Sequence, residues 1–527
     1  MEFKLSDIDT LSSATKAFVS HDEKLRDLFE PQHPFYQIEQ AIEGKKQFSQ
    51  ENRNILVTEL KKQYNNILSS DSNNTVNQNI ENLKNPNTYT ITTGQQLHLF
   101  MGPAFVLHKI IATIKAAEYY KTLYPEYHFV PVYWLASEDH DFEEIKGTKV
   151  FQNQFDWQTE QAGATGRFHV EEVGKIIEDI KQNVSLSAEN LSLLSDLENI
   201  YQQSKSLSEA SIKITHYLFG SYGLICIDGD NKALKSLFIP QIKQEISTQI
   251  TIEKFNAFSQ ILEKNGFSLQ LKGRDINIFY LSHNKRSRIV LQDEKYHVMD
   301  TPIIFSKEEL FNDIEKNPEN YSPNAVLRPV YQETILPNIC YIGGNAEVNY
   351  WLQLKDVFTA NHISPPLLVL RPSVWIVPAK TLKWLEKQDI NILSLLQAKN
   401  QKDLIQLLDK SDNNFLIKSN LFEVLKQDLQ DLAVEGETKH LKELVEHGKL
   451  YEKLLKKIEN ELSEKRVQKI ELDFKKLEHA KRSFFDLHNI QERQTSTLEM
   501  LIKYPSIAQL VYNSLEFKPS SGKIIFV

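Results

Sequence analysis

After an opening of eighty-odd polar, helix-like residues, two strand-like segments separated by a helical pattern give the first strand signals along the chain. The first runs from Tyr89 to Thr93, and the second is FVPVYWLA at 129–136. Because the second segment is apolar on both faces, it is typical of a central strand in a parallel sheet. Between the two, PAFVLHKIIATIKAAEYYKTLY has apolar residues at helical spacing, and Pro103 stands where a first helical turn tolerates proline. The pattern predicts a strand, a helix and a second strand.

Later apolar runs repeat this theme and predict a larger sheet. They lie at 223–228, 276–281, 288–292, 338–344 and 366–373. Several are short, rich in β-branched or aromatic residues, and separated by helical patterns such as SLSEASIKITHYLF. This alternation favours an α/β core with a mostly parallel sheet. The polar and irregular span from about 147 to 205 is expected to be an insertion that crosses the edge of the core.

From about Leu385 the strand patterns vanish, and Lys, Glu, Leu and Gln dominate. Apolar positions then follow alternating steps of three and four, with one slip of register after Leu462. The seam residues are Tyr451, Leu455, Ile458, Leu462, Val467, Ile470, Phe474, Leu477, Lys481 and Phe484. Such a heptad seam predicts a projecting coiled-coil arm of two or more antiparallel helices that makes a dimer. The alternative is an amphipathic helix that lies on the core.

The composition narrows the functional classes. The 527 residues are 41% hydrophobic and 25% charged, with a net charge of −9, as in ordinary globular proteins. This acidic balance disfavours nonspecific binding of nucleic acid, which needs a clustered basic surface. No stretch approaches the ~18 apolar residues of a membrane span, and the first residues lack a signal-peptide pattern. Cys226 and Cys340 lie in apolar runs, so we expect buried thiols and a cytoplasmic location, with neither membrane nor nucleic acid as partner.

The first group of candidate residues surrounds the end of the first strand. Thr93, Gly94, Gln95 and Gln96 follow that strand, and Gly102 and Pro103 open the next helix. Because ligands of parallel sheets bind beyond the carboxyl ends of strands, and helix N-termini attract anions, an anionic substrate group is expected here. Neither of the common glycine-rich phosphate motifs occurs in the chain. The alternative is a plain turn in which the glutamines cap backbone groups.

The second group follows the strongest strand directly. It consists of Ser137, Glu138, Asp139, His140 and Asp141. Crowded carboxylates of this kind suit a substrate ammonium, a divalent metal or proton transfer from an attacking amine. No zinc-binding spacing is present, and no metal is assigned. The alternative is an acidic helix start, but we favour a functional role because one βαβ unit places this group beside the first.

The third group lies in LRPVYQETILPNICYIGG, with Arg328, Tyr331, Gln332, Gly343 and Gly344 as candidates. The glycines permit a close backbone approach, and an arginine before a proline presents a fixed guanidinium to a carboxylate or phosphate. Arg371 repeats this arrangement after PLLVL. Each arginine has an alternative interpretation as the partner of a structural acid.

Taken in order, TGQQLHLFMGP, VPVYWLASEDHDFEEI, LRPVYQETILPNICYIGG, YWLQLK and the late IQER resemble the BshC family of bacillithiol biosynthesis. The resemblance spans Tyr89 to Arg493 and implies an α/β fold with a Rossmann-like, mostly parallel core, inserted connecting segments and a long helical coiled-coil arm that makes a homodimer. The expected domains are a core over 1–384 with an N-terminal helical segment and insertions at about 147–205 and 235–330, a coiled-coil domain over 385–490, and a return to the core over 491–527.

The resemblance also implies a reaction, the ligation of cysteine through its carboxyl group to the amine of glucosaminyl-malate. Amide formation from a free carboxylate is uphill in water, so ATP or another nucleotide is expected as the activating cosubstrate. The residues at 138–141 are then expected to be catalytic. Substrate would bind Thr93 to Gln96, Gly102, Pro103, Ser137, Arg328, Tyr331, Gln332, Gly343, Gly344 and Arg371, and the nucleotide would bind Gln491, Glu492 and Arg493.

The chain departs from the family pattern at two places, where Met101 replaces an expected Thr and Asn345-Ala346 replaces an expected Pro-Gly. Two other functions stay open from the sequence. One is a non-catalytic dimeric protein that binds a metabolite or acts as a scaffold. The other is a nucleotidyl transferase that acts on a sugar.

Overall fold

The structure, a computed structural model, describes residues 1–8, 10–29, 32–65, 67, 74–398, 401–408, 427, 453, 457, 471–486, 489–518 and 521–527. The chain divides into two compact units. The first comprises Met1–Trp375 and Glu492–Ile525, and the second comprises Ile376–Gln491 with Phe526–Val527.

The core of the first unit is a five-stranded sheet in which every neighbouring pair is parallel. Its strands, in spatial order, are Leu367–Leu370, Asn338–Gly343, Thr88–Gln95, His128–Leu135 and Ile225–Asp228. The first predicted strand is the middle one and the second lies beside it, in register from Thr88 opposite His128 to Gln95 opposite Leu135. The predicted mostly parallel core is therefore confirmed.

The helix that joins these two strands is Ala104–Leu123, and it begins directly after Pro103. It is buried over most of its length, which explains why its apolar residues surround the helix rather than forming one stripe. The crossover follows the usual βαβ arrangement, so the turns after the two strands lie at the same edge of the sheet.

Two of the later apolar runs do not belong to this sheet, so that part of the prediction is wrong. The runs at 276–281 and 288–292 lie in a separate antiparallel sheet of five strands. Its strands are Ile304–Phe305, Lys295–Val298, Lys285–Gln292, Ile278–Ser282 and Tyr321–Pro323. Tight two-residue turns connect its central strands, and Asp293 and Glu294 both have positive φ, as hairpin turns require. These short connections leave no room for the crossover helix of a parallel pair.

The span from 147 begins with a hairpin, Gly147–Val150 and Asn153–Asp156, and continues into two helices, Val173–Asn183 and Ala188–Gln202. The remaining helices of the first unit are Ser13–Val19, Glu23–Arg26, Ile38–Lys45, Gln50–Tyr64, Thr75–Asn82, Phe142–Ile145, Leu207–Phe219, Lys232–Ser236, Ile239–Thr248, Ile250–Lys264, Lys307–Lys316, Arg328–Ile335, Asn345–Leu352, Lys355–Ala360, Thr497–Lys503 and Ile507–Ser514. The chain termini also meet, because Glu2–Lys4 pairs antiparallel with the last strand, Ser521–Phe526.

The second unit contains the helices Ala379–Lys387, Ile392–Gln397 and Gln401–Leu408, and residues 471–482 are also helical. The boundary between the units falls after Trp375, within the strand Ser373–Val377, and again after Gln491, within the short helix Gln491–Gln494. Most of the predicted heptad seam, from Tyr451 to Ile470, lies outside the described residues. Its last members, Phe474 to Phe484, belong to the described part of the second unit. In the described part of the chain, no helix has the length and apolar character needed to cross a membrane.

Candidate functional site

A cavity of about 440 Å³ lies in the first unit, at the carboxyl ends of the parallel strands. Gln95 and Leu135 end neighbouring strands and line the cavity, and Gly344 follows directly after a third strand. Open parallel sheets bind their ligands at this edge. The charged residues that line it are Glu138, Asp139, Glu144, Glu347, Arg286, Arg328, Arg371 and Arg493. The cavity therefore combines carboxylates with guanidinium groups.

The turns after the two central strands meet at Gln96 and Asp139. The Gln96 Nε2 atom donates a hydrogen bond of 2.9 Å to Oδ2 of Asp139. The other oxygen, Oδ1, accepts the backbone N–H of His140 at 2.8 Å and lies 3.6 Å from the Arg286 guanidinium. Burial alone would raise the pKa of Asp139, but these donors and Arg286 hold it well below the ordinary value. Asp139 is thus an ionised anchor across a wide pH range.

Glu138 has a different environment from its neighbour. Its Oε1 atom lies 2.7 Å from the ammonium group of Lys235, and the side chains of both residues are almost fully buried. Burial raises the pKa of Glu138, although Lys235 acts in the opposite direction. The preceding Ser137 does not line the cavity, because its hydroxyl donates to Asp228 at the end of the next strand.

A buried lysine connects the first and third groups of candidate residues. Lys109 Nζ donates to the carbonyl oxygen of Gly94 at 2.6 Å and to Oε2 of Glu347 at 2.6 Å. Glu347 also accepts the N–H of Gly344 at 2.8 Å and the hydroxyl of Tyr341 at 2.6 Å. Burial alone would raise the pKa of Glu347, but Lys109 and these donors lower it. This network holds the ends of two adjacent strands together.

Arg328 carries a positive charge that forms no ion pair with any residue that the structure describes. Its guanidinium donates to Oε1 of Gln332 at 3.0 Å and to the Tyr350 hydroxyl at 3.1 Å, and both acceptors are uncharged. Among the residues that the structure describes, no carboxylate lies within ion-pair distance of it. The interpretation of Arg328 as the partner of a structural acid therefore finds no such acid there. The charge is available to an anion in the cavity.

Arg371 does have a structural partner. Its Nη2 atom donates to Oε1 of Glu492 at 2.6 Å, and His108 Nδ1 lies 3.0 Å from the other oxygen of that carboxylate. The Nε atom of Arg371 is buried without a hydrogen-bond partner, and a Cβ on Gly344 would stand 3.8 Å from it. The guanidinium groups of Arg371 and Arg493 each lie 5.5 Å from the Phe105 ring. Two cations thus lie within cation–π distance of one aromatic side chain of the cavity lining.

Gly102 and Pro103 do not line the cavity, although the sequence placed them there. The helix start is closed by the chain itself, because Ala104 N–H donates to the carbonyl of Thr495 at 2.8 Å. The carbonyl of Gly102 accepts from Thr497 at 2.7 Å. With these backbone groups occupied, this helix start offers less to an anion than the sequence suggested.

Other predicted residues also lie outside the cavity lining, and most have structural partners. The Thr93 hydroxyl donates to the Ile342 carbonyl at 2.7 Å, and the Tyr331 hydroxyl donates to the Gly229 carbonyl at 2.6 Å. Gln332 supports Arg328, as described above. His140 and Asp141 are exposed, and Gly343 ends its strand. The predicted residues that do line the cavity are Gly94, Gln95, Gln96, Glu138, Asp139, Arg328, Gly344, Arg371 and Arg493.

The late IQER motif does not act as one group. The side chain of Gln491 bonds the backbone of Ile376 and Ser483 within the second unit. Glu492 is buried in the ion pair with Arg371, and Arg493 lines the cavity. Over the described ranges, no group of three or more His, Cys, Asp or Glu side chains is arranged to hold a metal ion.

Sequence reasoning missed Arg286 and Lys235. Arg286 comes from the antiparallel insertion, where it reaches Asp139 and donates to the Pro323 carbonyl at 2.9 Å. Lys235 lies on a short helix after the Ile225–Asp228 strand. Neither residue stands in a recognisable motif. Only the packing of elements distant in sequence brings Arg286 to the cavity and Lys235 to Glu138 in its lining.

Comparison with known proteins agrees with this architecture. The family model "Bacillithiol biosynthesis BshC, N-terminal Rossmann-like domain" matches residues 1–372. A protein of Flavobacterium johnsoniae named "Putative cysteine ligase BshC" is 35% identical over 477 residues, which cover 88% of this chain and 87% of the relative. Relatives of the same name are 34% identical over 507 residues in Cytophaga hutchinsonii, covering 92% of each chain, and 28% identical over 442 residues in Bacillus mycoides, covering 81% and 79%.

The family match includes all five strands of the parallel sheet and the antiparallel insertion that supplies Arg286. The similarity to the relatives extends over most of the chain, well beyond that domain. On both counts, the chain belongs to the BshC family.

Proposed function

We propose that this protein is a ligase that joins cysteine, through its carboxyl group, to the amine of glucosaminyl-malate. The observation that carries the proposal is the mixed charge of one cavity at the carboxyl edge of the sheet. There, the Arg328 guanidinium, which the described residues leave without an acidic partner, shares a space with the carboxylates of Glu138 and Asp139. The names of the relatives, which describe cysteine ligases, support the same assignment.

The substrates match this lining in charge. Cysteine has an ammonium and a carboxylate, and glucosaminyl-malate has an amine and the two carboxylates of its malate group. Arg328 and Arg493 are suited to carboxylates, because a guanidinium offers paired donors to two oxygens. Glu138 and Asp139 are suited to amines. The volume of about 440 Å³ lies in the usual range for small-molecule sites.

The energetics require an activating cosubstrate, for which we propose ATP or another nucleoside triphosphate. When bound, it would convert the cysteine carboxylate into a reactive acyl group. The lining fits phosphate oxygens at two points, since Arg371 Nε is buried without a partner and Arg493 has no acid within ion-pair distance among the described residues. These cations would hold anionic oxygens, and each lies 5.5 Å from the Phe105 ring.

The role of each residue in the proposal follows from its contacts. Asp139, fixed by Gln96 and the His140 N–H, would hold a substrate ammonium as a permanent anion. Arg328 would orient a carboxylate of the acceptor. Homodimer formation through a coiled coil and a cytoplasmic location stay predictions of the sequence.

The experiment is a reconstitution with the full-length protein. Purified chain is incubated with cysteine, glucosaminyl-malate and ATP, and the thiol product is measured by mass spectrometry. Product is expected with the native chain and a severe loss is expected with D139N. The variant D156N, at an exposed hairpin position, is the matched control and should retain full activity.

The same experiment separates the competing functions. Failure to form product with every nucleoside triphosphate tried would contradict the ligase. Pyrophosphate released without any amino acid would instead indicate a nucleotidyl transferase. A scaffold protein would form no thiol product and release no pyrophosphate. D139N would then leave cellular thiol levels unchanged.

A further inference from the structure

A buried row of alternating charges runs from the cavity to the protein surface. Glu138 lines the cavity and lies 2.7 Å from Lys235 Nζ. Lys235 lies 2.8 Å from Oδ1 of Asp230. Asp230 in turn accepts two hydrogen bonds from Arg167. Nε of Arg167 donates to Oδ2 at 2.6 Å, and Nη2 donates to Oδ1 at 2.8 Å. Arg167 is the only one of these four residues that is exposed.

Burial and several polar contacts hold the Lys235 side chain in place. Its side chain is 2% exposed, and its ammonium group donates to Oδ1 of Asp230 at 2.8 Å and to the Glu319 carbonyl at 3.0 Å. The Glu138 carboxylate completes its surroundings as an ion-pair partner at 2.7 Å. This ion pair places Lys235 against one oxygen of Glu138, a residue that lines the cavity, and no described residue forms a hydrogen bond or ion pair with the other oxygen.

The carboxylates of the cavity lining differ in how far their oxygens are occupied. Glu347 accepts from Lys109, Gly344 and Tyr341. Asp139 is similarly engaged on both oxygens, and Glu144 is exposed to water. Of the described residues, Lys235 alone forms a hydrogen bond or ion pair with the Glu138 side chain. Glu138 is thus the buried carboxylate of the lining that has an oxygen without a hydrogen-bond or ion-pair partner among the described residues.

We propose that Glu138 is the general base of the ligation and that Lys235 is its positioning residue. The inference rests on the proposed function and assigns a proton acceptor to it. Lys235 keeps the carboxylate ionised and directed at the acceptor amine, and Asp230 with Arg167 keeps Lys235 in place. Asp139, although adjacent in sequence, is too strongly stabilised as an anion to accept a proton readily.

The amide bond forms by attack of the acceptor amine on the activated carboxyl group of cysteine. The neutral amine nitrogen of the acceptor attacks the carbonyl carbon of cysteine, which has been activated by a nucleoside triphosphate. The C–N bond forms, and the bond from that carbon to the phosphate-type leaving oxygen breaks, with its electron pair leaving on oxygen. The nitrogen gives up one proton, which passes to Glu138 and later to water.

The surroundings of Glu138 suit this role. Burial raises its pKa, and Lys235 opposes that effect. The other charged or titratable groups that interact with it are Asp230, Arg167, Arg286 from the inserted sheet and the Tyr331 hydroxyl. A base with a raised pKa takes up a proton more readily near neutral pH than an ordinary carboxylate does. Loss of Lys235 would raise that pKa further.

The test compares K235M, K235R and E138Q with the native protein over a range of pH. For K235M we expect kcat to fall on the order of 100-fold near neutral pH, since base catalysis contributes about this much. The acidic limb of its kcat/KM profile should move up by about one pH unit or more, because an opposite charge lowers a carboxyl pKa by roughly that amount. K235R should recover most of the rate. K232M, which removes an exposed lysine of the same helix, should match the native protein.

The double variant K235M/E138Q decides between positioning and plain structural damage. If Lys235 acts through Glu138, the double variant should be no slower than E138Q alone. A K235M rate that falls equally at every pH, or losses that multiply in the double variant, would overturn the inference. K235R and E138Q both keep hydrogen-bonding groups in place. Their pH profiles therefore test the inference even if K235M folds poorly. An active native protein with an unaffected K235M refutes this inference alone, whereas an inactive native protein refutes the proposed function and this inference with it.

Discussion

Gln96 donates a hydrogen bond of 2.9 Å to Asp139, and in doing so it joins the turns that follow two adjacent parallel strands. The contact sets the geometry of the cavity, because both residues line it. It also occupies Oδ2 of Asp139, while the His140 N–H occupies the other oxygen. The amide-rich turn and the acidic turn therefore work as one structural feature.

Removal of the Gln96 side chain should weaken the enzyme without unfolding it. In Q96A, Asp139 loses one donor but keeps the His140 N–H and Arg286. A hydrogen bond to a charged group contributes about 1.5–3 kcal/mol, so we expect kcat/KM for product formation to fall by at least about tenfold. Steady-state kinetics with mass-spectrometric detection of the thiol product would measure it.

The matched control is Q154A. Gln154 donates to Asp156 at 2.7 Å in an exposed hairpin, which gives the same pair of residue types outside the cavity. It should have native kinetics. If Q96A were as active as Q154A, the Gln96 contact would not matter for the reaction.

Arg328 should determine the affinity for an anionic substrate. R328M removes a guanidinium that has only uncharged acceptors among the described residues, so no buried acid is left without a partner. We expect KM for glucosaminyl-malate to rise on the order of 10–100-fold, as for the loss of a charge-assisted hydrogen bond, with a smaller change in kcat. R328K should recover part of the affinity, because lysine keeps the charge but not the paired donors.

R288M is the control for this experiment. Arg288 is an exposed arginine on the strand that also carries Arg286. Its removal changes the net charge equally but should leave KM unchanged. A KM for R328M equal to that of R288M would argue against Arg328 as a substrate ligand.

Much of the fold could be predicted because its signals are local. The strands before Gln96 and Asp139 are short segments rich in β-branched, aromatic or apolar residues, and the segment between them is a long run of mostly apolar residues that begins after Pro103. The antiparallel sheet was harder to recognise. Its strands share the β-branched and aromatic residues of the core, and only the short turn at Asp293 and Glu294 distinguishes them.

The site could be predicted only in part, for a physical reason. Residues directly after strands fall at a known edge of the sheet, so Gln96, Asp139 and Gly344 could be placed from pattern alone. Arg286 and Lys235 come from other elements, and their approach depends on tertiary packing that no local pattern encodes. The helix start at Gly102 had the right sequence, but a distant backbone segment occupies its polar groups.

Lys109 should be required for stability rather than for chemistry. Its ammonium group is buried against the Gly94 carbonyl and Glu347. In K109M the Glu347 carboxylate would lose its cation inside the protein, which typically costs about 3–5 kcal/mol. We expect a lower midpoint in urea unfolding. The exposed variant K46M, which breaks a surface pair with Glu43, should change the free energy of unfolding by less than about 1 kcal/mol.

K109M with native stability would show that this buried network is dispensable. The double variant K109M/E347Q gives a second check, because it removes both charges. It should be more stable than K109M alone if an unpaired carboxylate causes the loss.

Glu492 should give the protein a stability that depends on pH. Its carboxylate is fully buried and accepts from Arg371, Ser373 and the Val374 N–H, with His108 beside it. Burial alone would raise its pKa, but Arg371 and His108 lower it far below the ordinary value. The folded protein thus keeps Glu492 ionised at a pH where the unfolded chain, with a carboxyl pKa of about 4.3, takes up a proton. The stabilisation is present above that pKa and is lost as pH falls toward the lowered value in the folded state.

E492Q removes this titration, so its cost should itself depend on pH. At pH 7 we expect the free energy of unfolding to be lower than in the native protein by about 3 kcal/mol, since Arg371 is left buried without its anion. Below about pH 4 the difference should shrink, because only the native protein loses the contribution of Glu492. Urea unfolding at several pH values would measure both curves, with the exposed E253Q as control. A difference between E492Q and the native protein that stays constant with pH would mean that Glu492 titrates alike in the folded and unfolded chains, and the buried ion pair with Arg371 would then not be its source of stability.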